Sequence, residues 1–410
     1  MPVKGSRTRI LGALITISLV APAFADPAPD YLTLLRQARA APRLASGEAG
    51  VAAAEARARQ ARAWNNPTLS IEAENFGGRG ELDGFDGAET TFSIGQTFEL
   101  GGKREARMAA ATQEAAAARF LYERNSGDFA AELAKAYAGA EAASKLRQLA
   151  TEAVTLAEAD SRTARALVDA GREAELRGVQ AEADLARARS ELVDAQADEA
   201  AAFLRLTALA GSPTPLDSIA VSLLAREPAA PSLSTARSPA VAAADAEWRA
   251  AQARQRLEES RWAPDITITG GVRTFAATDE TALVAGFSIP FPLFDRNAGG
   301  SEAARADSRA ASLRLEQARA EAQADTLAAQ GELNAARSRL TAQLDVERAA
   351  TEAYRLAQVG YEAGRVPLLE LTSARRSLVE ARRQTIDIQF ARVAAEAEAA
   401  RLAGRTPFGE

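Results

Sequence analysis

The sequence of 410 residues contains no cysteine and no histidine, and only two methionines. Without cysteine there can be no disulfide, iron–sulfur cluster or thiol nucleophile. Without histidine there can be no Ser-His-Asp triad and no imidazole ligand for zinc or copper. Any catalysis would depend on carboxylates, lysine, serine and tyrosine. We therefore expect a protein that is not an enzyme and that has neither a cofactor nor a resident metal.

Aromatic residues are also scarce, at 5% of the chain, although hydrophobic residues make up 47%. Much of the hydrophobic fraction is alanine, and small side chains suit helices that pack closely against one another rather than a thick core of large residues. The 49 basic and 55 acidic residues leave a net charge of −6. A nucleic-acid-binding protein would show a basic excess or a basic stripe, so we expect no nucleic-acid partner.

The first 25 residues have the pattern of a cleaved export signal. Lys4, Arg7 and Arg9 precede a short apolar run over 10–20, and Ala23-Phe24-Ala25 is an A-x-A cleavage site. The apolar run is shorter than the roughly 20 residues that a helix needs to cross a bilayer, and no other run is long enough. No cysteine follows the cleavage site, which argues against an N-terminal lipid anchor. We expect an exported mature chain.

The positions of the prolines indicate where long helices can run. No proline lies between Pro67 and Pro213, or between Pro292 and Pro367, and proline is strongly disfavoured inside helices. Residues 103–170 are dominated by alanine, glutamate, arginine, leucine and glutamine, which are strong helix formers. At about 1.5 Å per residue, this segment predicts a helix of roughly 100 Å. A free coiled coil is the alternative, but strict heptads are not sustained.

Two pairs of segments between the helices alternate apolar and polar residues with the period of a β-strand. Residues 68–76 and 89–100 flank a glycine-rich loop, and residues 265–275 and 281–291 flank a short polar turn. Each pair predicts a β-hairpin. Strands of about ten residues with alternating faces match those of outer-membrane barrels. Half-buried strands of a soluble domain are the alternative.

The chain repeats this organisation. The turn sequence Asp169-Ala-Gly171-Arg172 recurs as Glu362-Ala-Gly364-Arg365, each time after a long helix. The repeated unit is helix, hairpin, long helix, turn and shorter helix. The predicted divisions are a signal peptide (1–25), a first repeat (26–211) with its hairpin at 68–100 and its turn near 171, a proline-rich connector (212–239), a second repeat (240–404) with its hairpin at 265–291 and its turn near 364, and a C-terminal tail (405–410).

Four strands cannot close a membrane barrel, because even small barrels have about eight. Open strand edges are not tolerated in lipid, so several chains would have to pool their hairpins if these enter a membrane. A cyclic trimer would supply about twelve strands, and its long helices would form a second, helical cylinder. If the hairpins enter a membrane, the expected fold is mainly α with a small β part, in which a trimeric α-barrel joins a twelve-stranded transmembrane β-barrel and each chain contributes two internal repeats.

Three stretches carry a resemblance to a known family: residues 66–78 (NPTLSIEAENFGG), 96–104 (QTFELGGKR) and 286–297 (GFSIPFPLFDRN). Essentially the whole mature chain resembles the TolC outer-membrane channel family of Gram-negative bacteria. The resemblance is strongest to the branch that serves heavy-metal exporters of the cobalt–zinc–cadmium and copper–silver type. It implies a homotrimer in the lipid of the outer membrane that extends into the periplasm, and docking to a periplasmic adaptor protein and a proton-driven inner-membrane efflux pump.

The resemblance also implies a role for the two glycine turns. They would form the periplasmic tip to which the adaptor docks, with Gly171, Arg172, Gly364 and Arg365 as the docking residues. Arginine stands here where turns of the family often carry leucine, which implies a different adaptor specificity. Ordinary C-cap glycines beside solvated arginines are the alternative.

The resemblance further implies a gate beside these turns. Six residues after each turn glycine, similar channels place a carboxylate near the closed entrance, and here the second repeat has Glu370 whereas the first has Arg177. Three copies of Glu370 would favour cations and could pair with Arg177 to hold the entrance closed. Tyr361 matches a position that joins such contacts in relatives. A plain solvated helix face is the alternative for each residue.

Two carboxylates are candidates for the wall of the barrel. Glu72 and Glu74 are two residues apart on one strand, so they would share a face and line the lumen with negative charge. We expect a passive exit duct for heavy-metal cations within a pump–adaptor–channel system. The alternatives are the same channel fold exporting drugs or secreted proteins, and a soluble periplasmic coiled-coil scaffold or adaptor.

Overall fold

The computed structural model describes residues 26–80, 84–227 and 238–409. The expected signal peptide lies outside the described residues, as does part of the expected connector. The elements in the described ranges are β1 Asp26–Ala28, α1 Tyr31–Ala38, α2 Pro42–Gln60, β2 Thr68–Glu74, β3 Glu89–Phe98, α3 Lys103–Asp169, α4 Glu175–Ala210, β4 Leu216–Ile219, α5 Pro239–Ser260, β5 Ile266–Phe275, β6 Glu280–Ser288, α6 Ala298–Glu362 and α7 Leu368–Leu402.

Four strands form one antiparallel sheet in the order β2-β3-β5-β6. Each hairpin forms one half of it, and the halves are joined where β3 pairs with β5 along its whole length. The outer edges of β2 and β6 have no partner strand within the described part of the chain. The sheet therefore ends in two open edges.

The sheet has one apolar and one polar face, because successive side chains of a strand point to opposite sides. Cross-strand partners share a face, as Ile71, Phe92 and Val272 do. Most of the large apolar side chains on the apolar face are exposed to solvent in the single chain, among them Leu69, Ile71, Phe92, Ile94, Ile268, Val272, Leu283 and Phe287. Such a surface requires an apolar environment around it.

Two very long helices follow the two hairpins. The helix expected over 103–170 runs from Lys103 to Asp169, over 67 residues, and its counterpart α6 has 65 residues. At about 1.5 Å per residue, each is roughly 100 Å long. Helix α3 packs against α2, α4, α5 and α7, and α6 packs against α5 and α7. Among the described residues, no helix is both long enough and apolar enough to cross a membrane.

Most residues of the buried core are alanine, which lets neighbouring helices approach closely. Large side chains gather in one place, where α1, α3 and α4 meet the connector, around Tyr31, Phe129, Leu133, Tyr137, Leu206 and Leu224. The Tyr137 hydroxyl donates to the carbonyl of Val221 at 2.8 Å. Burial raises the pKa of Tyr137 to about 12. The core thus anchors the connector to the middle of the helical bundle.

Two charged side chains, one on α3 and one on α7, bind the backbone of the connector. The Glu141 carboxylate on α3 accepts hydrogen bonds from the backbone N–H groups of Leu223, at 2.8 Å, and Leu224, at 3.1 Å. The Arg392 guanidinium on α7 donates to the carbonyl of Leu224 at 3.0 Å and forms an ion pair with Glu396 at 3.2 Å. Because these groups are buried, their hydrogen bonds fix the connector relative to both helices.

Candidate functional site

Two glycine turns reverse the chain after the long helices. Gly171 follows α3 with a φ of 69°, and Gly364 follows α6 with a φ of 70°. The next backbone N–H donates to the carbonyl five residues earlier, at 2.9 Å after Gly171 and 2.8 Å after Gly364, as in a Schellman ending. No atom lies within 4 Å of a Cβ built on either glycine. Glycine is therefore favoured at both positions because of the left-handed backbone, and not because a larger side chain would clash.

The expected docking arginines lie directly after these glycines. Arg172 and Arg365 are exposed. Neither side chain has a hydrogen bond or ion pair with the residues that the structure describes. Two unpaired guanidinium groups at the tip are available to an acidic partner surface. Their role in docking stays a prediction.

The expected gate residues Arg177 and Glu370 do not pair within one chain. The Arg177 guanidinium donates to the side-chain oxygen of Gln180 at 3.0 Å. Glu370 is exposed and lies in the first turn of α7, where a carboxylate interacts favourably with the helix dipole. It has no side-chain hydrogen bond or ion pair among the described residues. Any contact between the two residues would have to join different chains, and it stays a prediction.

Tyr361 lies at the junction of the four tip helices. Its ring packs against a small cluster of buried side chains from α3, α4 and α7: Ala164, Ala181, Leu368 and Leu371. Its hydroxyl is buried and has no hydrogen-bond partner within the described ranges. Burial raises the pKa of Tyr361, and the nearby carboxylates of Glu173 and Asp160 raise it further. A buried hydroxyl without a hydrogen-bond partner costs about 1–3 kcal/mol of stability. The hydroxyl of Tyr361 therefore lowers the stability of this junction.

Sequence reasoning missed a cluster of four charged residues behind the tip. Arg375 Nη1 lies 3.1 Å from Asp160 Oδ2, without the angles of a hydrogen bond. The next residue, Arg376, forms an ion pair with Asp184 on α4. The pKa of Asp160 is raised above its usual value. Burial is the main cause and the Asp184 carboxylate adds to it, while the Arg375 guanidinium partly offsets the increase. These pairs connect α7 to α3 and α4 of the first repeat. The sequence signals this cluster only weakly, because the doubled arginine at 375–376 is one of two on α7, the other being 382–383.

The structure places Glu72 and Glu74 together on the polar face of the sheet, but it adds a partner that was not expected. Arg273 on β5 forms ion pairs with Glu74, at 3.0 Å, and with Glu89 on β3, at 2.9 Å. Glu72 has no such partner in the described part of the chain. The expected row of negative charge is therefore partly neutralised. Sequence reasoning missed Arg273 because it lies in the other repeat.

The two tryptophans that precede the hairpins are largely exposed, Trp64 at 62% and Trp262 at 63%. The Arg104 guanidinium lies 4.5 Å above the Trp64 ring. An indole beside a basic group at the end of an apolar sheet is typical of a membrane interface.

Among the described residues there is no group of three or more acidic side chains arranged to hold a metal ion.

Comparison with known sequences gives a consistent set of relatives. The family described as "Outer membrane efflux protein" matches residues 34–212 and 230–405. The nickel-cobalt-cadmium resistance protein NccC of Alcaligenes xylosoxydans xylosoxydans is 40% identical over 412 residues, covering 100% of this chain and 94% of that protein. The nickel and cobalt resistance protein CnrC of Cupriavidus metallidurans is 41% identical and covers 77% of this chain and 76% of that protein. The cobalt-zinc-cadmium resistance protein CzcC of the same organism is 32% identical over 72% of each.

Solved structures show the same fold at lower identity. The transmembrane channel CusC superposes with a TM-score of 0.78 at 21% identity, covering 92% of both chains. The outer membrane protein VceC of Vibrio cholerae has a TM-score of 0.75 at 20% identity, and the match covers 92% of this chain and 96% of that one. The expected mainly helical channel fold, with a small β part and two repeats, is confirmed.

Proposed function

The chain belongs to the outer membrane efflux protein family, and we propose that it is the exit duct for divalent heavy-metal cations such as nickel, cobalt, zinc and cadmium. It is a passive channel rather than an enzyme, located in the outer membrane of a Gram-negative bacterium and extending into the periplasm. The observation that supports this cargo is the 40% identity to a nickel-cobalt-cadmium resistance protein along the whole chain.

We propose a homotrimer as the working form. Within the described residues, one chain supplies a four-stranded sheet with two open edges and an exposed apolar face. Unpaired backbone groups cannot face lipid, and a membrane barrel needs about eight strands or more. Pairing β2 of one chain with β6 of the next would satisfy both edges, and three chains would give about twelve strands. The apolar faces would then contact lipid, and the polar faces would line the lumen.

The partners proposed for this trimer are a periplasmic adaptor and a proton-driven inner-membrane pump. Arg172 and Arg365, beside Gly171 and Gly364, are the proposed docking residues, because their guanidinium groups are exposed and unpaired within the described ranges. Reversing both charges (Arg172→Glu with Arg365→Glu) should abolish chemical cross-linking to the adaptor while leaving the trimer in the outer membrane. Retention of full cross-linking would remove these residues from the docking surface.

The gate is proposed to lie in the four tip helices, with Glu370, Arg177 and Tyr361 as contact residues. Opening requires these helices to rotate apart, as in other transitions between discrete packing arrangements. The unpaired carboxylate of Glu370 and the unsatisfied hydroxyl of Tyr361 are groups whose contacts can change when neighbouring chains move. The ion pair between Arg375 and Asp160 would keep α7 attached to α3 during this movement.

The cargo is tested by deleting the gene in its host and measuring growth with added nickel, cobalt, zinc, cadmium or copper, and with a panel of drugs. Sensitivity to the divalent metals, restored by the wild-type gene, is the expected result. Sensitivity to drugs alone, or loss of a secreted protein, would assign a different cargo to the same channel fold. The identity of the pump and adaptor genes expressed with it gives an independent check.

A further inference from the structure

The polar face of the sheet carries one compact charged group at the end away from the helices. We define the exit cluster as Glu72, Glu74, Glu89, Thr91 and Arg273. Glu72 is opposite Thr91, Glu74 is opposite Glu89, and Thr91 is opposite Arg273, so all five residues share one face. This end of the sheet is formed by the last residues of β2 and the first of β3. In the proposed trimer the cluster lines the lumen near the outer opening.

Arg273 uses three of its nitrogen atoms to connect three strands. Its Nη2 is 3.0 Å from an oxygen of Glu74, and its Nη1 is 2.9 Å from an oxygen of Glu89. Its Nε donates to the hydroxyl of Thr91 at 2.9 Å. The second oxygen of Glu89 accepts a hydrogen bond from Asn75 at 3.2 Å. One guanidinium thus engages two carboxylates that would otherwise face each other directly across β2 and β3.

The remaining carboxylate of the cluster is free. Glu72 is exposed and has no side-chain hydrogen bond or ion pair among the residues that the structure describes. Three carboxylates against one guanidinium leave two negative charges per chain that are not balanced within the cluster. The exit can therefore attract cations over a distance, while Arg273 engages one oxygen of each of the two adjacent carboxylates.

We propose that Arg273 is a specificity-determining residue of the channel, which prevents the exit from retaining its cargo. Neighbouring carboxylates are suitable ligands for divalent cations. Glu74 and Glu89, directly paired across two strands, would offer such a site if Arg273 did not bind both carboxylates. By holding both, Arg273 keeps the wall weakly anionic but non-chelating, so that hydrated cations pass without binding. This inference rests on the proposed trimeric metal channel.

The test is single-channel recording of the full-length trimer in planar bilayers, first in KCl with EDTA and then with added Co²⁺ or Zn²⁺. The wild type should conduct with a weak cation preference and little block by either metal. Arg273→Gln should raise the ratio of potassium to chloride permeability about twofold, because each chain gains one unbalanced negative charge. It should also make the current sensitive to block by Co²⁺ and Zn²⁺, at concentrations about tenfold lower than the wild type requires.

Three matched variants separate this effect from a loss of structure. Arg273→Lys keeps the positive charge but loses the planar set of hydrogen-bond donors of the guanidinium. It should retain the permeability ratio, and its current should be blocked by the metals less strongly than that of Arg273→Gln. Adding Glu74→Gln and Glu89→Gln to Arg273→Gln should abolish the block, because both ligands are gone. Glu72→Gln alone should lower cation preference without creating a block. Each variant must first show the wild-type trimer on unheated gels and a stable current in EDTA.

The outcomes distinguish this inference from the proposed function. If the wild type forms no trimer and no channel, the proposed function fails. If the wild type conducts and assembled Arg273→Gln trimers show wild-type selectivity and wild-type metal sensitivity, only the role of Arg273 is overturned. A block that persists after both carboxylates are removed would also overturn it, because the metal would then be bound elsewhere.

Discussion

The Arg375 guanidinium on α7 lies 3.1 Å from the Asp160 carboxylate on α3, and only 7% and 12% of the two side chains remain exposed. Removing two charges from water costs several kcal/mol, so such a pair does little to stabilise a fold by itself. Breaking it by removing one partner is strongly destabilising, because the other charge stays buried. The pair therefore acts as a constraint on how α7 can move relative to α3 near the tip.

Arg375→Met should loosen the tip. The change leaves Asp160 buried without its cation, and we expect local stability to fall by about 3 kcal/mol. Hydrogen exchange of the amides around Asp160 and Arg375 in the detergent-solubilised trimer should accelerate roughly a hundredfold. Arg383→Met is the matched control, because Arg383 forms an ion pair with Glu380 on the same helix and its side chain is 52% exposed. An exposed ion pair contributes less than about 1 kcal/mol to stability. Equal exchange in the two variants would contradict the constraint.

Two carboxylates on α7 should give opposite pH dependence. Burial raises the pKa of Glu396 above its usual 4.5, although Arg392 lowers it. The stability contributed by protonated Glu396 is therefore present below 4.5 and lost as pH rises through its raised pKa. Burial would also raise the pKa of Glu398, but hydrogen bonds and charges from Arg401 and Lys135 lower it overall. Its contribution is present above 4.5 and lost as pH falls through that lowered pKa.

Thermal unfolding of the solubilised trimer between about pH 3 and 7 measures this difference, because the Glu398 window lies below 4.5 and the Glu396 window above it. The unfolding temperature of Glu396→Gln should rise relative to wild type as pH increases, because the variant avoids a buried charge. That of Glu398→Gln should fall relative to wild type as pH rises to about 4.5 and change little above it, because the wild-type carboxylate is then fully charged and paired. Parallel curves for the two variants would show that both shifts have been assigned wrongly.

Glu370→Ala should change ion passage at the tip. If three copies of Glu370 face the entrance, removing them should raise single-channel conductance or lower cation preference in planar bilayers. Arg177→Ala should raise conductance as well if it pairs with Glu370 of another chain. Glu332→Ala is the control, because that carboxylate is exposed on α6 and pairs only with Arg339 within the described ranges. Unchanged conductance and selectivity in Glu370→Ala would remove this residue from the gate.

Gly171→Ala should destabilise the tip turn by about 1 kcal/mol, because the left-handed backbone at this position is strained for any residue with a Cβ. Gly127→Ala, in the interior of α3, is the matched control. No atom lies within 4 Å of a Cβ built there either, and alanine favours the helix by up to about 1 kcal/mol. The two variants should shift the thermal midpoint of the trimer in opposite directions.

Much of the architecture could be predicted from the sequence because it depends on neighbouring residues. Alanine-rich stretches without proline predict the long helices, and alternation over 68–76 and 265–275 predicts the hairpins. The glycines at 171 and 364 predict turns because of the left-handed backbone that follows a helix. The number of strands indicates that several chains pool their hairpins, and the resemblance to the channel family implies that the assembly is a homotrimer.

The charge partners were decided only by the tertiary structure. Glu74 and Glu89 were visible in the sequence, but Arg273 comes from the other repeat, and only the register of β3 with β5 places it beside them. Asp160 and Arg375 meet only because α3 and α7 pack side by side. Local periodicity decides which face a side chain takes, whereas strand register and helix packing decide what it faces. The sequence by itself therefore determined the helices, the hairpins and the lack of histidine and cysteine, and the fold decided which of its charges remain free.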